Sequence, residues 1–103
     1  MTNEELLEKL QEDMKMRGFS HYTKYSYYHK AKEITEHFGK PMKQVTTKEL
    51  REFLMKYLRE ERKVGERCVN YYNSVIRFIY DVVLDYPINQ KQLPMYKKKR
   101  KLP

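Results

Sequence analysis

The residues best equipped for chemistry in this chain form two clusters and one run. The first cluster is Ser20, His21, Tyr22, Thr23, Lys24 and Tyr25, with His29 and Lys32 following. The second is Arg67, Asn70, Tyr71, Ser74 and Arg77. The run is Lys97, Lys98, Lys99, Arg100 and Lys101. These residue types share one capability, contact with a polyanion. Hydroxyls of Ser, Thr and Tyr hydrogen-bond phosphate oxygens, and Lys and Arg neutralise phosphate charge. Arg and Asn also match the guanine and adenine edges of the major groove.

Catalytic and metal-binding patterns are missing. His21, His29 and His37 are eight residues apart, so on a helix their faces diverge, and no HExxH or Cys/His ligand spacing exists. There is no glycine-rich phosphate loop. Cys68 stands alone, so no intrachain disulfide can form, which fits a reducing compartment. It falls on an expected inward stripe with no histidine nearby and reads as an inert thiol. Glu60 and Glu61 follow Lys56 and Arg59 and read as surface charge. The chain is therefore expected to carry no cofactor, no metal and no catalysis of its own.

Composition sets the class. A length of 103 residues suits one small domain. With 3 Gly and 4 Pro there are few breakers, so long helices are expected. The net charge is +8, of which the run at 97–101 supplies five, leaving the remainder at +3. The basicity that suggests an anionic partner is thus concentrated in the tail. The mean hydropathy of −0.96 and the lack of any apolar run near ~20 residues argue against a membrane partner. The acidic, amphipathic start MTNEELLEKL is not a signal peptide, and a cytoplasmic location is expected.

Four helices must position the clusters. The first opens at the capping box Thr2-Asn3-Glu4-Glu5, carries Leu6, Leu7, Leu10 and Met14 at helical spacing, and stops at Gly18. The second begins at the N-cap Ser20, buries Tyr27, Ala31, Ile34 and Phe38, and ends at Gly39 and Pro41. The third opens at a second capping box, Thr46-Thr47-Lys48-Glu49, and buries Leu50, Phe53, Leu54, Tyr57 and Leu58. The fourth runs from about Glu66 to Asp85, with Cys68, Tyr72, Val75, Ile76, Ile79 and Val83 inward. Residues 1–88 are read as the folded domain and 89–103 as a basic linker or tail.

Helical residues advance by about 100° each. With its stripe inward, the second helix presents His21, Tyr22, Tyr25, His29 and Lys32 outward, with Tyr28 at the flank. The fourth presents Arg67, Asn70, Ser74 and Arg77, with Tyr71 and Asn73 at the edges. A bland reading stands beside each. The Arg/Asn/Ser face also suits plain solvation, boundary tyrosines often cap a core, and basic tails often only solubilise.

The chain resembles the core-binding domain of tyrosine recombinases of the phage-integrase type. Met16 to Tyr27 resembles the "rGyS..T...Y" opening, and Phe38-Gly39-Lys40-Pro41 the "F.gk" turn. Val45 to Leu54 resembles the "vt..dir.yl" third helix, and Asn70 to Tyr80 the "n..lsairsfy" fourth helix. Lys99-Arg100-Lys101-Leu102-Pro103 resembles the "rkLP" link to a catalytic domain. The resemblance implies an all-α, SAM-like bundle of four helices with a basic C-terminal tail. It implies a domain that clamps double-stranded DNA, alongside other recombinase protomers, for recombination or integration by a separate catalytic domain. It places Ser20, Thr23 and Lys24, and Arg67, Asn70, Ser74 and Arg77, at the DNA. One departure is Val64-Gly65-Glu66, where the family often has Ser or Thr; Glu66 would repel a nearby phosphate. In isolation the domain is expected to be a monomer.

Two other functions compete. A helical protein-interaction module would need an exposed apolar patch, whereas the outward faces are polar and basic. RNA binding lacks the RNP and GXXG signatures of the common modules.

Overall fold

Side-chain caps build the starts of the first three helices. The computed structural model describes residues 2–86. At Thr2 the side chain accepts from the Glu5 N–H while Glu5 reaches back to the Thr2 N–H, and α1 (Asn3–Met16) follows. α1 closes in a Schellman turn. The Phe19 N–H reaches the Met14 carbonyl and the Gly18 N–H reaches that of Lys15, each at 3.1 Å. Gly18 supplies the left-handed residue this needs, at φ +71°. The Ser20 hydroxyl accepts from the Thr23 N–H and opens α2 (His21–Phe38), which ends at Gly39 with φ +61°. A short 3₁₀ turn, Met42–Gln44, leads to the second capping box, Thr46 with Glu49.

Two helices change pitch along their length. α3 is regular over Thr47–Glu52 and continues as a π-helix over Phe53–Glu61. α4 is regular over Glu66–Phe78 and continues as a π-helix over Ile79–Val83. The Arg62 N–H bonds the Tyr57 carbonyl and the Leu84 N–H that of Ile79, both at 2.8 Å and both five residues back. A wider turn gathers residues four and five apart onto a narrower arc. Phe53, Leu54 and Leu58 are accordingly all buried, and the rings of Phe53 and Tyr57 stack at 5.2 Å.

One core joins the four helices. Leu6, Leu10 and Met14 of α1 meet Ala31 and Ile34 of α2, Leu50 of α3, and Val75, Ile76 and Ile79 of α4, all fully enclosed. The described chain is an all-α bundle with the element order the periodicity predicts. Tyr80 is the largest of the fully buried side chains, and its hydroxyl donates to the Met42 carbonyl at 2.6 Å. That bond fixes the end of α4 to the α2–α3 connection. Burial, assisted by the charges of Glu49 and Tyr86, pushes the Tyr80 phenol far above its ordinary range.

The buried arc of α4 is wider than its apolar stripe. Val69, Asn73 and Tyr80 are buried, although Asn73 is expected at an outward edge. Cys68, expected inward, is half-exposed. The reason is position: α4 packs against α2 and the π-helical half of α3, and its own continuation against α1, so three neighbours cover it rather than one.

Candidate nucleic-acid interface

The α2 face is open along its first three turns. Tyr22 is 78% exposed and Tyr25 68%. His21, His29 and Lys32 are exposed, and Thr23 and Lys24 are half-buried. The Tyr25 ring leans on the His29 ring at 4.2 Å between centroids, and Tyr28 meets His29 edge-on at 5.6 Å. Ser20 is exposed, but its hydroxyl is engaged, accepting from the Thr23 N–H at 3.2 Å and donating to Thr23 Oγ1 at 2.9 Å. Ser20 therefore shapes the helix start, and its hydroxyl would have to leave Thr23 to bond another acceptor.

The electrostatics of this face are one-signed. No acidic residue lies in the first turn of α2, and none occurs before Glu33. Glu33 is held by Arg62, whose Nη1 donates to both carboxylate oxygens at 2.6 and 2.7 Å. The Tyr72 hydroxyl donates to the same carboxylate at 3.0 Å. Burial, then the adjacent Glu33 charge, pushes the Tyr72 phenol up to about 12. The first carboxylate of α2 is thus already paired, and the next, Glu36, is exposed one turn beyond Lys32.

A ring cluster sets α2 beside α4. Tyr27 contacts Phe19 at 5.7 Å, Phe78 at 5.8 Å and Tyr71 at 5.5 Å between centroids, all edge-on. Lys30, which the sequence reading passes over, sits with Nζ 4.5 Å from the Tyr71 ring centre. Arg17, also passed over, lies 5.9 Å from the Phe78 ring. The signal that could have found both is their place beside aromatics in a helix-to-helix seam, where a cation gains by sitting over a ring.

The α4 cluster is less open than its helical wheel suggests. Arg67 is exposed, but Asn70, Tyr71, Ser74 and Arg77 are half-buried. The Ser74 hydroxyl donates to the Asn70 carbonyl of its own helix at 3.1 Å. Glu66 is exposed at the start of α4. The structure thus brings Tyr71 to α2 through Tyr27 and leaves Arg67 as the open cation of the second cluster. Lys97, Lys98, Lys99, Arg100 and Lys101 lie outside the described residues, as does the tail from 89.

A shallow cleft of about 310 Å³ lies at the other end of α2, lined by His37, Phe38, Glu49, Glu52, Phe53, Lys56, Tyr57 and Glu61. Among the described residues no group of three His, Cys, Asp or Glu is placed to hold a metal ion. No described helix is long and apolar enough to cross a membrane.

Comparison with known proteins agrees with the fold and the motifs. The family model for the phage integrase N-terminal SAM-like domain matches residues 6–90. A Sinorhizobium fredii protein, y4qK, named provisionally as an integrase/recombinase, is 30% identical over 99 residues. That match covers 95% of this chain and 32% of the relative, so the chain spans about a third of that protein's length. No solved structure matches significantly. With its four-helix bundle and the match over most of its length, the chain belongs to the family of phage-integrase N-terminal SAM-like domains.

Proposed function

We propose that this chain is the DNA-binding core-binding domain of a site-specific tyrosine recombinase. It holds duplex DNA while a catalytic domain elsewhere in a longer protein carries out recombination or integration. The observation that carries this reading is the α2 face. Tyr22, Tyr25, His29 and Lys32 are exposed, with no acid before the paired Glu33. Thr23, Lys24 and the exposed Arg67 are assigned to phosphates. Asn70, Ser74 and Arg77 are assigned to the groove, and the side chains of Ser74 and Arg77 would shift to reach it. The basic run 97–101 adds a sequence-independent anchor. The domain alone acts as a monomer, and protomers meet on DNA.

Fluorescence anisotropy with a short duplex tests this. Binding is expected to be weak and to fall steeply with salt, because the body carries only +3 outside residues 97–101. Lys24→Ala with Arg67→Ala is expected to lower affinity by about tenfold at low salt. Unchanged affinity in that double variant removes the folded body from the interface. The rival reading, a protein-interaction module, would use the cleft between α2 and α3. Its signature is self-association without DNA.

A further inference from the structure

We propose that the rings of Tyr22, Tyr25 and His29 form a stacking surface for unpaired bases. The domain would then take single-stranded or locally melted DNA on the same helix face that meets duplex. This rests on the reading of α2 as a DNA-facing helix and deepens it.

Phosphate contact alone does not explain these rings. A helix that only tracks a backbone needs donors and cations, which Lys, Arg, Ser and Thr supply without large apolar surface. Tyr22 and Tyr25 leave 78% and 68% of their surface in water, so neither is spent on the core. Tyr25 is not loose either: it is backed by His29 at 4.2 Å, and Tyr28 supports His29 from the side. A backed ring keeps its outer face free and costs less to order when a base arrives.

Spacing separates stacked from unstacked targets. Residues three apart on a helix have Cβ atoms about 5–6 Å apart. Successive bases in a duplex strand rise about 3.4 Å. Rings rooted at positions 22 and 25 thus start from Cβ atoms set wider apart than successive stacked bases. They suit bases that have been pulled apart. The surrounding charge is right for a strand backbone, since no acid occurs on α2 before Glu33 and Lys32 is exposed. Aromatic rings on a one-signed basic face are the elements of single-strand recognition, in which each base stacks on a ring.

The test compares three probes on the full chain by anisotropy at low salt. They are an oligothymidine of about 20 nucleotides, a duplex of equal length, and that duplex with a central unpaired thymine loop. The wild-type chain is expected to bind the looped duplex more tightly than the fully paired one. Tyr22→Ala with Tyr25→Ala is expected to weaken oligothymidine binding by about tenfold or more, and duplex binding by less than about threefold. Tyr22→Phe with Tyr25→Phe keeps the rings and removes the hydroxyls, so oligothymidine binding stays within about twofold. Loss in the Phe variant equal to that in the Ala variant would assign the tyrosines to phosphate hydrogen bonding and overturn the proposal. So would equal wild-type affinity for looped and paired duplex. Duplex binding without oligothymidine binding overturns this inference alone. No binding to any probe overturns the DNA-binding reading with it. Because both rings are exposed, thermal melts of the variants are expected to match wild type.

Discussion

Tyr72 and Tyr80 show what single buried hydroxyls contribute. Both phenols are pushed above their ordinary value of 10 in the fold, chiefly by burial. Their neutral forms are favoured by folding, so their contribution is complete below about pH 10. Above it the unfolded chain loses these protons while the folded chain keeps them, and stability falls as pH rises. For Tyr72 the decline runs to about 12. Urea unfolding measured from about pH 8 to about pH 12 should show a midpoint that drops only beyond pH 10; a flat profile would contradict the burial argument. Tyr80→Phe removes the donor to the Met42 carbonyl. The carbonyl keeps its bond from the Val45 N–H at 3.1 Å, so the loss of this one hydrogen bond is expected to cost about 0.5–1.5 kcal/mol. At low pH the sign reverses for Glu49. Its carboxyl is held below its ordinary value by the hydrogen bond from Lys40, so its contribution is present above that value and lost as pH falls through the lowered one.

At the scale of elements, caps and stops were readable because they are local. Ser20, the Thr2 and Thr46 capping boxes, and the left-handed Gly18 and Gly39 all act within a few residues of their own backbone. Gly39→Ala meets no atom within 4 Å, so its cost is conformational alone, at φ +61°. About 1–2 kcal/mol is expected, visible as a thermal shift of several degrees. Gly65→Ala is the control, because Gly65 has φ −73° and equally open space. Gly65 is the N-cap of α4, where Ala is the poorer residue, so a smaller loss of about 0.5 kcal/mol is expected. A loss as large as that of Gly39→Ala would mean that the left-handed backbone angle does not set the requirement at Gly39. The π-helical continuations were not readable. A five-residue hydrogen bond and a four-residue one use the same residue types, and packing chooses between them.

At the scale of the molecule, charge is divided between a mildly basic body and a run that holds five of the net +8. Replacing Lys97, Lys98, Lys99, Arg100 and Lys101 with Gln tests that division. If all five meet phosphate, the slope of log affinity against log salt becomes shallower by about 4–5, with weaker residual binding by the body. An unchanged slope would place the run away from DNA.

The sequence by itself determined the helices, their ends, most of the core and the family. Those follow from local backbone chemistry and from apolar spacing, which need no knowledge of neighbours. It also singled out α2 and α4, since residue type and helical angle select outward faces. What only the tertiary structure decided is how much of each face stays open. Arg67 is exposed, while Asn70, Ser74 and Arg77 are half covered and Asn73 is buried. Tyr22 and Tyr25 remain in water, and Glu33 is paired across the fold by Arg62. A helical wheel assigns one inward direction, but α4 meets α1, α2 and α3 along its length, and exposure is set by what those neighbours cover.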